Sequence, residues 1–245
     1  MPMKNTYLYD VLIIGGGISA CVFASNYVKS NTKKIALVEI GRGLGGRSST
    51  RISKRFEGWE INHGAPNLNI CSIKKNELIK NYINYLLENK LIKIDDSEFI
   101  HLKEETKYEM IENYEFSSGN NYLSTFNMSK LSQNIIGFNK FRNYIDFYFE
   151  TLIVDLKFIN DEWTLTSISG NKFKSKYLVC SSNLLLHKRS LSILNLSEIP
   201  LRKAIPKNAD EKIDSLLYFL DQQSFIPRIT FLIYANENYS YKDYY

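Results

Sequence analysis

Val11-Leu12-Ile13-Ile14-Gly15-Gly16-Gly17-Ile18-Ser19-Ala20 decides how the rest of this chain is read. Four consecutive apolar residues suit a strand buried on both faces of a parallel sheet. They stop at three glycines, and the small and apolar residues that follow predict a helix from Ile18 to about Lys29. Ser30-Asn31-Thr32 breaks that helix, and Ile35-Ala36-Leu37-Val38-Glu39 reads as a second buried strand. Strand, helix and strand in about thirty residues make a βαβ unit. Within it, Gly15, Gly17 and Ala20 fit the G-x-G-x-x-[G/A] pattern of a dinucleotide-binding turn. Gly15 permits the tight turn, Gly17 lets a diphosphate approach the backbone, and Ala20 keeps the helix close to the sheet. The helix start at Ile18 and Ser19 offers free N–H groups and the positive end of the helix dipole. Glu39 ends the second strand, where a carboxylate suits a pair of ribose hydroxyls and disfavours a 2′-phosphate.

The chain runs on without a gap through Ile40-Gly41-Arg42-Gly43-Leu44-Gly45-Gly46-Arg47-Ser48-Ser49-Thr50. Gly45 and Gly46 can bring backbone amides to a second side of a diphosphate. The Arg47 fork matches phosphate oxygens as a lysine cannot. This stretch also explains the charge. The 245 residues carry a formal +5, and Arg42, Arg47, Arg51, Lys54 and Arg55 fall in residues 41–56 with no acid among them. Setting those five aside leaves 26 basic against 26 acidic residues. The basicity is therefore one local site, and no nucleic-acid partner is expected.

Composition excludes other classes. With 44% hydrophobic and 23% charged residues the chain is an ordinary globular protein of one or two domains. No apolar run approaches the roughly 20 residues of an integral membrane span. Three cysteines (Cys21, Cys71, Cys180) without metal or disulfide spacing predict reduced thiols and a cytoplasmic protein, and no metal site. Residues 11–24 superficially resemble a secretory leader, but Asp10 and the three glycines interrupt the pattern and no small-residue cleavage site follows.

Further along, residues 59–62 are expected to return to the sheet, and 75–92 form an amphipathic helix with Leu78, Ile79, Tyr82, Ile83, Leu86 and Leu87 at helical spacing. Residues 94–126 read as short charged strands and loops, and 128–136 as another helix. Residues 144–149, 152–158, 162–168 and 173–180 read as strands, with turn chemistry at Asn160-Asp161 and Gly170-Asn171. A helix or strand is expected around 213–220 and a strand over 225–234. The fold class is α/β: a Rossmann-like dinucleotide-binding part over 1–70 and 150–185, and an α+β substrate-domain-like part over 71–149 and 186–245.

The E-x₆-GGR-x-x-T run after a GxGxxG strand and helix resembles the flavin-containing amine oxidase superfamily, and within it the renalase-like branch. His63-Gly64-Ala65 is similar to that branch's D-x-G-A signature, and Met128-Ser129-Lys130-Leu131 to its G-M-x-x-L segment. The resemblance covers about residues 8–225. It implies an FAD cofactor and a hydride passed to flavin from an amine or dihydronicotinamide-type small-molecule substrate. It implies Gly15, Gly17, Ile18 and Ser19 at the pyrophosphate and Glu39, followed by Ile40, at the adenosine ribose. Gly45, Gly46 and Arg47 would lie by the phosphates and ribityl chain, Gly64, Ala65 and Pro66 near the isoalloxazine, and the Val154 backbone at the adenine. Asn62 stands where relatives carry Asp, and Asn127 where they carry Gly.

Relatives also continue beyond the match into a flavin-contacting segment, where this chain closes with a Tyr-rich stretch. The expectation is a C-terminally shortened protein whose flavin site a missing segment or a partner chain would complete. Catalytic residues are not identified; His63 is more readily structural, and His101 and His187 read as surface or capping residues. Two rival functions stand beside the oxidoreductase. One is a catalytically silent dinucleotide-binding remnant acting as an interaction protein. The other is an NAD-dependent dehydrogenase, against which the GGR run argues.

Overall fold

A computed structural model describes residues 6–30, 33–55, 57–70, 76–96, 119–137, 140–141 and 143–224, and the backbone of 100–102 and 108–110. Strand β1 (Thr6–Ile14), helix α1 (Ile18–Ser30) and β2 (Ile35–Val38) form the βαβ unit. A 3₁₀ turn (Gly46–Ser48) leads into the ribbon β3 (Thr50–Ile52) and β4 (Glu60–Asn62). The inserted part holds β5 (Leu68–Ile70), α2 (Glu77–Glu88), β6 (Ile92–Ile94), β7 (Ile100–Leu102), β8 (Tyr108–Met110), β9 (Asn120–Ser124) and α3 (Met128–Ile136). The chain then returns through β10 (Ile145–Tyr148), β11 (Ile153–Ile159), β12 (Glu162–Ser167) and β13 (Lys172–Cys180). It continues into α4 (Ser190–Leu194), α5 (Pro200–Ala204) and α6 (Glu211–Asp221).

The central sheet has six strands in the order β10-β2-β1-β13-β12-β11. Strands β10, β2, β1 and β13 run parallel, while β11, β12 and β13 form an antiparallel meander. Alternation along the parallel strands sorts the two faces. Val11, Ile13, Ile35, Leu37 and Ile145 point into one core with Ala20 and Ala24 of α1, Ile83 and Leu86 of α2, and Leu131 and Ile135 of α3. Leu12, Ile14, Ala36 and Val38 point into the other, with Leu156, Leu165, Phe173, Leu185, Leu201 and Leu217. Burial on both faces is what the apolar runs at 11–14 and 35–38 require. The inserted part therefore shares a core with the sheet through α2 and α3.

Polar groups tie the strands where the sheet opens. The Tyr9 hydroxyl donates to Asp146 Oδ2 at 2.6 Å and lies 2.5 Å from the Tyr148 hydroxyl. Lys34 pairs with Asp146 at 2.7 Å. Burial, helped by Asp146 and Tyr148, pushes the Tyr9 phenol far above its ordinary range. At the meander hairpin, Asn160 and Asp161 adopt φ of 52° and 59°, the left-handed pair that a two-residue turn of matching twist needs.

Several expectations change. Residues 60–62 do not rejoin the central sheet: β4 pairs with β3 in a separate ribbon. Glu-Ile-Asn has one apolar residue in three, so it cannot be buried on two faces. Strand β10, assigned by its position before residue 150 to the inserted part, pairs in parallel with β2. The helix expected over 75–92 runs over Glu77–Glu88, because Asn76 caps its start by accepting from the N–H groups of Leu78 and Ile79. Leu78 is then 81% exposed and is no part of the core stripe. Residues 213–220 are helical within α6, where Asp210 caps the first turn. The strand expected over 225–234 and the Tyr-rich end lie outside the described residues.

Phe173 is 1% exposed and joins the meander to the Tyr7 and Tyr148 rings. Phe173→Ala is expected to lower stability by about 3–5 kcal/mol, read from chemical denaturation midpoints at constant slope.

Candidate cofactor site

The site is built where β1 and β2 end. Gly15 takes φ of +100°, a left-handed conformation, and a Cβ there would come within 3.1 Å of the Ser182 Cβ. Only glycine turns the chain here without strain. The Glu39 carboxylate, just beyond β2, reaches back over this turn. Its Oε2 accepts from the Gly16 N–H at 2.5 Å and its Oε1 from the Gly41 N–H at 2.6 Å. The second glycine loop packs against the first: the Gly45 N–H donates to the Gly16 carbonyl at 2.9 Å, and Gly17 and Gly45 form an isolated bridge. Above Gly17 there is open space, with no heavy atom within 4 Å of where a Cβ would sit. That opening borders the first turn of α1, which carries no acidic residue. The helix N-terminus and its unsatisfied N–H groups thus face a gap that favours an anion.

Arg47 contributes through both its backbone and its side chain. Its carbonyl accepts from the Ala65 N–H at 2.8 Å. A Cβ on Gly64 would lie 1.9 Å from that carbonyl oxygen, so the approach demands glycine. The Arg47 guanidinium is exposed, and no hydrogen bond or ion pair engages it among the described residues. Backbone contacts thus bring Gly16 and Gly17 to Gly45 and Gly46, and Arg47 to Gly64 and Ala65. His63, Gly64, Ala65 and Pro66 are all exposed.

A narrow cleft of about 30 Å³ continues from Gly15 and Glu39 along Ile40, Leu152, Ile153, Ser182 and Leu185. Thr151 N–H to the Glu39 carbonyl (3.0 Å) and Glu150 N–H to the Gly41 carbonyl (2.9 Å) hold its two walls together. Val154 lies one residue past this wall, at a bulge where the β11 register shifts between Ile153 and Asp155. Thr50 and Asn62 bond to the first turn of α3, roles that local pattern alone did not supply.

The histidines divide. His63 is exposed, with its Nε2 3.5 Å from the Ser49 hydroxyl. His187 is 4% exposed rather than superficial, and its Nδ1 accepts from the Arg189 N–H. His101 sits in β7, where only backbone is described. Among the described residues no cluster of three His, Cys, Asp or Glu side chains could hold a metal. Cys21, beneath the glycine turn, is buried; burial and the nearby Glu39 carboxylate push its thiol up to about 12. Burial pushes Cys180 up to about 11.

Residues 13–86 match the model of an NAD(P)-binding Rossmann-like domain. This is a Rossmann-like fold. Among solved structures, wild-type putrescine oxidase bound to putrescine shares the architecture with a TM-score of 0.52 at 10% identity. A redesigned double mutant of that enzyme gives 0.51 at the same identity. Each covers 73% of this chain, and this chain spans 59% of theirs. No curated protein matches the chain in sequence. Among the described residues no helix is long and apolar enough to cross a membrane.

Two outcomes test the site's construction. Gly64→Ala is expected to force the Arg47 carbonyl aside and lower stability by about 1–3 kcal/mol in denaturant titrations. At pH 8 native Cys180 is expected to alkylate about a hundredfold more slowly than in the unfolded chain, because its raised pKa leaves little thiolate. Peptide mass spectrometry after timed labelling reads the difference.

Proposed function

We propose that this chain is an FAD-dependent oxidoreductase of the amine oxidase and renalase-like type. In this reading a hydride passes to flavin from an amine or a dihydronicotinamide-type donor. The observation that carries the reading is the contact of two glycine loops across Gly17, with an unengaged guanidinium beside them. A single glycine turn suits any dinucleotide. A second amide-bearing loop with Arg47 suits a diphosphate held from two sides.

The residues fit the group. Gly15, Gly17, Ile18 and Ser19 would hold the pyrophosphate from the helix side, and Gly45, Gly46 and Arg47 from the other. Glu39, with Ile40 beside it, would meet the adenosine ribose, since each carboxylate oxygen keeps accepting capacity beyond its one amide. Gly64, Ala65 and Pro66 would lie toward the isoalloxazine and the Val154 backbone toward the adenine. When bound, FAD supplies the hydride-accepting chemistry. The chain's own task is to bind, orient and shield it. The fold shared with putrescine oxidase supports an amine among the donors. The free thiols of Cys21, which is buried, and Cys180, which is half-buried, fit a reducing, cytoplasmic setting.

Titration with FAD tests the reading. Purified chain is expected to take up one FAD with flavin absorbance, and NADP⁺ is not expected to displace it. Arg47→Met is expected to weaken FAD binding by about ten- to a hundredfold, the worth of a charge-assisted hydrogen bond to phosphate. Absence of flavin binding, or preference for NAD⁺ over FAD, would overturn it.

A further inference from the structure

Helix α3 meets the cofactor loops through a closed set of hydrogen bonds. The Thr50 N–H donates to the Ser129 hydroxyl at 2.8 Å, and Thr50 Oγ1 accepts from the Ser129 N–H at 3.1 Å. The Thr50 hydroxyl donates in turn to Asn62 Oδ1 at 2.7 Å, and the same oxygen accepts from the Met128 N–H at 3.2 Å. Asn127 completes the turn. Its Oδ1 accepts from the Lys130 N–H at 2.8 Å, and its amide donates to Glu60 Oε2 at 2.6 Å.

Two of the orphan N–H groups at the start of α3 are thus satisfied by the β3–β4 ribbon rather than by the helix's own cap. The helix cannot slide without leaving them bare, and Met128, Leu131 and Ser132 at its base are fully buried. This arrangement lies directly under the second glycine loop. A Cβ on Gly45 would come within 3.4 Å of the Ser129 hydroxyl and 3.2 Å of the Ser49 Cα. Gly45 and Gly46 take φ of +129° and +55°. Such a backbone loses the most freedom when fixed, so something must fix it. One anchor is the Gly45 N–H on the Gly16 carbonyl. Thr50, four residues beyond Gly46, is the other.

We infer that Thr50, Asn62 and Ser129 are positioning residues for dinucleotide binding: they latch the Gly45-Gly46-Arg47 loop onto α3, so the diphosphate site depends on docking of the inserted helix. The inference rests on reading the two glycine loops as a dinucleotide site. A loop that wanders among conformers binds more weakly in proportion to the fraction that is competent. The latch therefore acts on affinity, through Arg47 and the loop amides, without touching the cofactor.

The test is FAD affinity and the cofactor-free unfolding midpoint, measured side by side on the full chain. Thr50→Val keeps the branched shape and the backbone donor but removes the hydroxyl; it is expected to weaken FAD binding about tenfold. Thr50→Ser is expected to stay within about twofold of the parent. Asn62→Asp keeps the acceptor oxygen beside the α3 N-terminus and is expected to bind normally, whereas Asn62→Leu is expected to lose about tenfold. The double variant Thr50→Val with Asn62→Leu is expected to lose much less than the product of the two, because both act in one network. Should Thr50→Val fold poorly, Ser129→Ala removes only the acceptor for the Thr50 N–H and is expected to give the same direction of change. If Thr50→Val and Ser129→Ala lower the unfolding midpoint but leave the affinity of folded chain unchanged, the latch is only structural and the inference fails. If the parent chain itself binds no FAD, the dinucleotide reading fails and takes the latch with it.

Discussion

The Glu39 carboxylate is the constraint on which the site depends. Standing just past the end of β2, it accepts from Gly16 on one side and Gly41 on the other. Those two bonds satisfy a backbone donor on each of the two segments that Glu39 joins. They also bring a negative charge to the foot of α1, where the helix dipole favours it. With the turn closed, the Gly16 carbonyl is aimed at the Gly45 N–H, and the second loop can settle on the first. An apolar residue at 39 would leave both amides short of a partner at once. The carboxylate is thus structural in the turn, and in the proposed function it would also accept from a ribose.

From that turn the connections spread in both directions. The Glu39 backbone accepts from Thr151, which carries the chain from β10 into the meander and forms the far wall of the cleft. The Arg47 carbonyl fixes Gly64 and Ala65, and Thr50 reaches α3. Segments far apart in sequence therefore meet beside the sheet's C-terminal edge. That is where ligands collect in open α/β sheets, because the loops there are free to diverge while the strands beneath stay rigid.

What could be read in the sequence follows from how local each signal is. The apolar runs at 11–14 and 35–38, the three glycines and the turn at Asn160-Asp161 declare themselves within a few residues. Helix α3 spans the 128–136 that its sequence predicts, with Asn127 capping its start and Gly137 in the left-handed conformation at its close. The pairing of β10 with β2 was not legible, since more than a hundred residues separate the partners and nothing in Ile145–Tyr148 names its neighbour. The place of residues 60–62 was not legible for a related reason: the ribbon β3–β4 is held by Thr50 and Asn62 bonding to α3, not by apolar faces. Of the site, Gly15, Gly17, Glu39 and Arg47 were visible as a spaced pattern. The need for glycine at 64 was not, because the atom that forbids a side chain there is the carbonyl oxygen of residue 47.

In the proposed function two glycine loops, held together through Glu39, present their amides to one dinucleotide diphosphate. Amide hydrogen exchange on the full chain, with and without saturating FAD, tests that claim at the atoms concerned. Slowed exchange is expected in the peptides spanning residues 15–21 and 43–48 together, with helix α6 unchanged. Exchange that slows in neither loop, or only around Leu8 and Lys34 at a separate concavity, would overturn that reading.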